Sequence, residues 1–366
     1  MEPPFYGLRV VHAASYQIDK DGAAFFNCDL KFHQGLVQNG CHVYPFSIND
    51  RARMLSFLNS KTFGKKKANR ALVRTCQNVR PDALILGHGQ YISRETLTEI
   101  RDTVPDIRIG YWYIDPLWEP KDVAHLNHRA DLFDAICCTT GGELLRQFCR
   151  PGSPAAFVPN PVEAGVERLK AFECESPKYD LVFFGRDKYA SQRGKLLAKL
   201  RDALPQARLG YFGCLGEPLV FGAEKDAILA RSRMALNLSR RNDVELYSSD
   251  RLAQLTGNGL LTLIQTGAGF EELYSEDEVG FYESLDDLVE LVAYLISDDP
   301  LARTIAERGW SKAHSAYSSR SVAEFLLNLT FRRPDCLTSP WTRHIHWHEH
   351  DTTRPDAAPV PRRHAA

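Results

Sequence analysis

The chain has 366 residues, 44% of them hydrophobic and 25% charged, with a formal net charge of −1. That is enough sequence for two domains with real cores, and near neutrality removes any whole-molecule argument for nucleic acid, leaving electrostatic partners to local patches. Nine cysteines without a Cys-x-x-Cys spacing argue against a disulfide scaffold or zinc site and for a reducing compartment. No apolar run approaches the ~18 residues of a membrane span, and Met1-Glu2-Pro3-Pro4 has no signal-peptide pattern, so the expected location is cytoplasmic.

Leu8 to Ala14 reads as a strand, and Ala23 to Asn39 as a helix whose Phe25, Phe26, Leu30, Phe32, Leu36 and Val37 recur at helical spacing. With a strand at His42 to Phe46 this is a β-α-β opening of the doubly wound kind. The loop after the first strand lacks Gly-x-Gly-x-x-Gly, which argues against a nicotinamide-dependent oxidoreductase. Between Arg51 and Arg80 stand nine basic residues and no Asp or Glu. The segment is either a solvated helical face or a surface that meets an anionic membrane or acceptor at the inner face of a membrane. Nucleic acid is disfavoured.

Pro81 to Leu86 reads as a buried strand leaving through Gly87-His88-Gly89, and Arg108 to Tyr113 is another leaving through Asp115. Ligands of such sheets bind at the C-terminal ends of strands, which makes His88 and Asp115 candidate catalytic residues. The alternatives are a structural histidine and a turn cap before Pro116. Tyr111, Trp112, Tyr113 and Trp118 are core packing or a platform for a sugar ring or base. Strand Leu132 to Thr139 and helix Gly141 to Cys149 follow, and four prolines between Arg150 and Glu167 mark a crossing between domains.

The second half restarts at strand Tyr179 to Gly185, whose exit loop carries Arg186, Lys188 and Arg193 into a helix over Arg193 to Leu204. Basic side chains there suit a phosphate. Leu209 to Phe212 is a strand, Ala227 to Arg233 a helix, and Met234 to Leu238 a strand ending at Asn237, Ser239 and Arg240. Next comes a cradle: Ser248, Ser249 and Asp250 are residue types that accept N–H bonds from a helix's first turn, Arg251 adds a guanidinium, and Gly257-Asn258-Gly259 suits the helix end. Ser284 with Asp287 caps a helix over Asp286 to Ile296, and two more helices cover Leu301 to Tyr317 and Arg320 to Leu329. The Pro/His/Arg-rich tail is expected to be disordered at its end; His344, His346, His348 and His350 alternate, a weak metal-site pattern given no role.

These residues carry a resemblance. From Tyr179 to Leu329 the chain resembles glycosyltransferases of the GT-B type, in particular the "glycosyl transferases group 1" domain of spore-maturation-protein-like sequences. The stretches that carry it are Phe183-Phe184-Gly185 with Arg193, Ala235 to Ser239, Asp250 to Gly259 and Ile305 to Arg320. The resemblance implies two Rossmann-like doubly wound domains facing a cleft: residues 1–160 for the acceptor, 161–330 for a nucleotide-sugar donor, and a tail at 331–366. It implies that Arg251, Ser249 and Asp250 hold the donor diphosphate, that Gly185, Arg186, Arg193, Asn237 and Ser239 line the donor pocket, and that Gln254 stands where relatives carry a Glu for the ribose hydroxyls. A carboxylate accepts two hydrogen bonds from a diol whereas an amide accepts and donates. The donor half, Tyr179 to Leu329, lacks an obvious Asp-x-Asp, so no metal cofactor is expected. The implied reaction is sugar transfer to a glycan or lipid-linked hydroxyl in surface polysaccharide or glycoconjugate synthesis. The alternatives are a nucleotide-sugar epimerase, a non-catalytic sugar-nucleotide- or glycan-binding module, and an anionic-surface adaptor built on Arg51 to Arg80.

Overall fold

The computed structural model describes residues 2–186, 191–247, 249–349 and 351. Short runs of β-branched and aliphatic residues become the central strands, buried on both faces, and the helices between them cover both faces of two sheets. In chain order the first sheet takes β1 (Arg9–Ala14), α1 (Cys28–Gln38), β2 (His42–Ser47), α2 (Ile48–Met54), α3 (Lys61–Val79), β3 (Ala83–Leu86), α4 (Arg94–Thr103), β4 (Arg108–Tyr113), α5 (Pro120–Asn127), β5 (Ala135–Cys138), α6 (Glu143–Arg146) and β6 (Ala155–Phe157). The second takes β7 (Tyr179–Phe184), α7 (Gln192–Ala203), β8 (Leu209–Phe212), α8 (Gly222–Leu229), β9 (Ser232–Asn237), α9 (Arg251–Gly257), β10 (Leu261–Gln265), β11 (Gly280–Tyr282), α10 (Leu285–Ser297) and α11 (Asp299–Ala316). Helix α12 (Ser319–Thr330) and strand β12 (Ile345–His346) complete the chain.

The first sheet has the order β12-β6-β5-β4-β3-β1-β2 and the second β11-β10-β9-β7-β8. Every pairing is parallel except that of β12 with β6. In both sheets the order reverses beside the first strand, between β1 and β3 and between β7 and β9. A crevice at the C-terminal ends of such a pair is where doubly wound sheets bind ligands. The expectation of two doubly wound units is met.

Several elements differ from the sequence reading. Helix α1 begins only at Cys28, because Asn27 caps it by accepting from Asp29 N. Its buried face is Cys28, Asp29, Lys31, Phe32, Gly35 and Leu36, leaving Val37 exposed. Helix α8 starts at Gly222 and β9 already at Ser232, so the expected helix over 227–233 straddles a helix end and a strand start. Helix α6 is a single turn. Helix α12 and the tail, expected in or beyond the second domain, lie against the first sheet. Trp341 is fully buried beside the rings of Tyr317 and Phe325, and β12 extends the sheet, so the described part of the tail is folded. His344 Nε2 lies 3.3 Å from Glu272 Oε2, His350 lies outside the described residues, and among the described residues no three His, Cys, Asp or Glu gather as for a metal.

The two crossings between sheets run side by side. Val162 N–H donates to Tyr317 O at 2.9 Å and Ser319 N–H to Val162 O at 2.8 Å. Phe270, Leu273, Tyr274 and Val279 from the second unit join the same apolar cluster as the core of the first.

Candidate active site

In the second sheet the switch point is spanned by Arg251. Its Nε donates to Phe184 O at the end of β7 (2.6 Å) and its Nη1 to Leu238 O just past β9 (3.0 Å). The guanidinium lies over the Phe183 ring, 4.9 Å from its centroid. Gly185 makes room for it: a Cβ there would stand 2.9 Å from Arg251 Nη2. Arg193, at the start of α7, shares this anchorage, donating to Leu238 O (3.3 Å) and Arg186 O (2.8 Å).

The first sheet has a matching arrangement of opposite sign. Asp29, fully buried in the first turn of α1, accepts from Ser15 N past β1 (2.8 Å), and its Oδ2 lies 2.8 Å from His88 Nδ1 and 3.3 Å from His88 N past β3. Burial opposes ionisation of Asp29, but His88 by charge and hydrogen bond, with His12 and the Ser15 N–H, holds its pKa below the usual carboxylate value. Burial likewise disfavours the charged imidazole of His88, yet Asp29, with Asp115 and Asp250, outweighs it and lifts the pKa to about 9. At neutral pH His88 is therefore an imidazolium. Asp115 accepts from the Gln90 amide; burial raises its pKa, Asp122 and Asp29 add to the rise, and His88 opposes it. The loop carrying His88 and Gln90 is pinned by Arg129, a fully buried residue whose guanidinium donates to Gly89 O (3.1 Å) and Ile92 O (2.7 Å).

Between the two switch points lies a cavity of about 310 Å³. Asp115 from the first sheet and Arg186, Arg193, Ser239, Ser249, Asp250 and Arg251 from the second line it, together with Arg240, Tyr247, Cys28 and Asn160. Arg193, Ser239 and Arg240 also line an adjoining open groove of about 680 Å³. Four guanidinium groups thus come from the second sheet, where the Asp250 carboxyl is paired with Lys31, and the Asp115 carboxyl comes from the first. Such a site takes an anion on the arginine side and holds a hydroxyl or its proton on the other. Tyr111, Trp112 and Tyr113 are buried core, whereas Trp118 reaches the cleft and meets Tyr247 edge-on at 4.4 Å.

Other expectations are placed differently. Asp250 does not cap α9 with its side chain. It accepts instead from Lys31 Nζ at 2.8 Å and from the Gln254 amide. A half-buried and a fully buried carboxylate around one buried ammonium explain this, since Lys31 also donates to Glu167 at 2.8 Å. Burial acts against the Lys31 charge, but Asp250 and Glu167 win and raise its pKa; at Glu167 burial wins over Lys31 and the pKa rises to about 6. Gln254 is buried, does not line the cavity, and accepts from Lys225, whose ammonium stands 5.4 and 5.2 Å from the Phe26 and Phe184 ring centroids. Burial lowers the Lys225 pKa to about 8. Asn237 ends β9 fully enclosed, its Oδ1 without a hydrogen-bond partner; it lies behind the cavity and not on it. Lys188 and Ser248 lie outside the described residues.

Sequence reasoning missed Asp29, Lys31, Arg129, Glu167 and Lys225. A signal existed for the first two: with Phe32 and Leu36 fixing the inward face of α1, the helical period turns positions 28, 29 and 31 toward the same side. Charges there need partners.

Residues 192–328 match the family model described as "Glycosyl transferase-like", in line with the resemblance read from 179–329. No curated protein matches the sequence. Among solved structures the chain is similar to HepE of Anabaena in complex with UDP, at 11% identity and a TM-score of 0.55, covering 88% of this chain and 99% of that one. It is similar to the sucrose-phosphate synthase of Thermosynechococcus elongatus (10%, 0.54, 88% and 98%) and to AviGT4, a glycosyltransferase of avilamycin A biosynthesis (13%, 0.52, 89% and 97%). The two facing parallel sheets are those of the GT-B glycosyltransferases.

Proposed function

We propose that this GT-B-fold chain, whose second half is glycosyl-transferase-like, is a glycosyltransferase that takes a sugar from a nucleoside diphosphate and passes it to a hydroxyl. The observation that carries the reading is the charge division of the cavity at the two switch points. Arg251 and Arg193, fixed by strand-end carbonyls, with Arg186 and Arg240, offer preorganised positive charge to a diphosphate, and so stabilise the charge that develops on it as the glycosidic bond breaks. A similar structure holds UDP, which favours a uridine donor. Helix α9 is only seven residues long, so the guanidinium groups, not its dipole, supply most of the field, and no metal is required.

On the acceptor side Asp115, with its pKa raised, is the candidate base for the incoming hydroxyl. His88 does not fit a resting base, because its imidazole is already charged; it serves as a positive contact for the sugar or phosphate and as the partner that keeps Asp29 ionised. Lys225 and Asp250 hold both ends of the Gln254 amide, so ribose contacts through it require that pair to rearrange. A binding module that does not turn over is the second reading this supports.

A thermal-shift screen against UDP, GDP, ADP, dTDP and CMP, repeated on Arg251→Ala, tests the assignment. A nucleotide at 100 times its Kd stabilises by about 2.7 kcal/mol, and the expected result is such a shift with UDP that the variant loses. No shift with any nucleotide overturns the donor site. A retained shift without hydrolysis or transfer of UDP-sugars in the presence of sugar and lipid acceptors assigns the chain to the binding-module reading.

A further inference from the structure

Ile18, Met54, Phe57, Leu58 and Phe63 are each at least 65% exposed, and Phe57 is fully so. Large apolar side chains scattered singly on a surface need no explanation, but a cluster does. The fold gathers these five. Ile18 N–H donates to Asp50 Oδ2 at 3.2 Å and Arg53 pairs with Asp19 at 2.5 Å, which ties the loop after β1 to α2. Gly64 lets α3 approach α2 so closely that a Cβ there would fall 1.6 Å from Ala52 O, which sets Phe63 beside Met54 and the connecting loop. Around this apolar tip stand Lys20, Arg51, Lys66, Lys67 and Arg70, all exposed. Asp19 is neutralised by Arg53 and Lys20, and residues 51–80 contain no acid.

The shape and the charge select the partner. Phe57 is fully exposed and its four apolar neighbours at least 65%, so a solid partner would need a matching pocket for each, whereas a fluid apolar layer needs none. Lysines on long stems round aromatic and aliphatic residues match an anionic headgroup layer over hydrocarbon. We propose that this surface docks the chain on an anionic lipid bilayer, with Phe57, Leu58 and Phe63 entering the interfacial layer and the ring of lysines and arginines lying over the headgroups. The tip stands on the C-terminal rim of the first sheet, because β1 and β2 run directly into it. Asp115 leaves the same rim three strands away, about 14 Å by strand spacing, so docking brings the cleft close to the lipid surface. The inference does not depend on the transfer reaction.

Flotation of the full chain with phosphatidylcholine vesicles, with and without phosphatidylglycerol, at low and high salt tests it. The expected result is binding that needs phosphatidylglycerol and weakens with salt. Arg51→Gln with Lys66→Gln and Lys67→Gln should weaken it roughly a hundredfold at about 1 kcal/mol per charge, and Phe57→Ser with Phe63→Ser at least about tenfold. These exposed positions leave the core intact, and an unchanged circular-dichroism spectrum and Tm in both variants verify folding independently of docking and of nucleotide binding. No binding to phosphatidylglycerol vesicles, or binding unaffected in both variants, overturns the proposal. So does a concentration-dependent dimer abolished by Phe57→Ser, which would assign the patch to a second copy of the chain.

Discussion

His88 and Lys31 show how burial and charge decide a residue's behaviour at this cleft. The folded pKa of His88, about 9, is above its ordinary 6.5, so its ion pair contributes stability fully below the unfolded value and loses it as pH rises through 9. Thermal stability should fall from pH 6.5 to 9.5 more in the natural chain than in His88→Gln, and a scan of Tm against pH in both checks this. Lys31 is enclosed with two carboxylates, so Lys31→Met strands both; a loss of about 3–5 kcal/mol in chemical denaturation is expected. Lys31→Met combined with Glu167→Gln should recover part of it, and no recovery would show the charges to be uncoupled. Arg251 and Asp115 were legible in the sequence because strand-end positions announce themselves through the strand before them. For Asp29 and Lys31 only the inward side was legible, from the helical period: their partners lie 59, 136 and 219 residues away in sequence, and no local pattern encodes that pairing.

At the scale of elements, strands were legible where they were continuous apolar runs, as at Ala83–Leu86, since a strand buried on both faces has no alternation to blur. Boundaries failed where local chemistry intervened: Asn27 delays α1 by capping it, and α8 ends at Leu229, leaving only Ala230 and Arg231 before β9. The side on which a helix packs was also hidden. Helix α12 has an apolar face that would suit either sheet, and its choice is fixed by a close fit at Gly35 of α1, where a Cβ would lie 2.0 Å from Ser319 O. Gly35→Ala should therefore force α1 from α12 and cost about 1–3 kcal/mol, although in an isolated helix Ala is the better former. Equilibrium denaturation measures the sign, and stabilisation by Gly35→Ala would show that the contact is loose.

At the scale of the molecule, the two units share an apolar cluster and paired crossings, so they should unfold together. One calorimetric transition is expected for residues 1–351, and two well-separated ones would show that the shared cluster does not couple them. The composition already indicated two cores, but their fusion was not legible, because Phe270, Leu273 and Tyr274 read locally as an ordinary turn and helix. The return of α12 to the first sheet bears on the order of synthesis. The first unit is made first but finished last: α1, β4 and β5 leave the ribosome long before Ser319–Thr330 and Trp341, while the second sheet is contiguous from β7 to β11 and can close as soon as it emerges. Until translation ends, the face that α12 covers stays open to water and to chaperones, so a chain stopped at residue 318 should be bound by them or aggregate, although it contains every residue of the cavity.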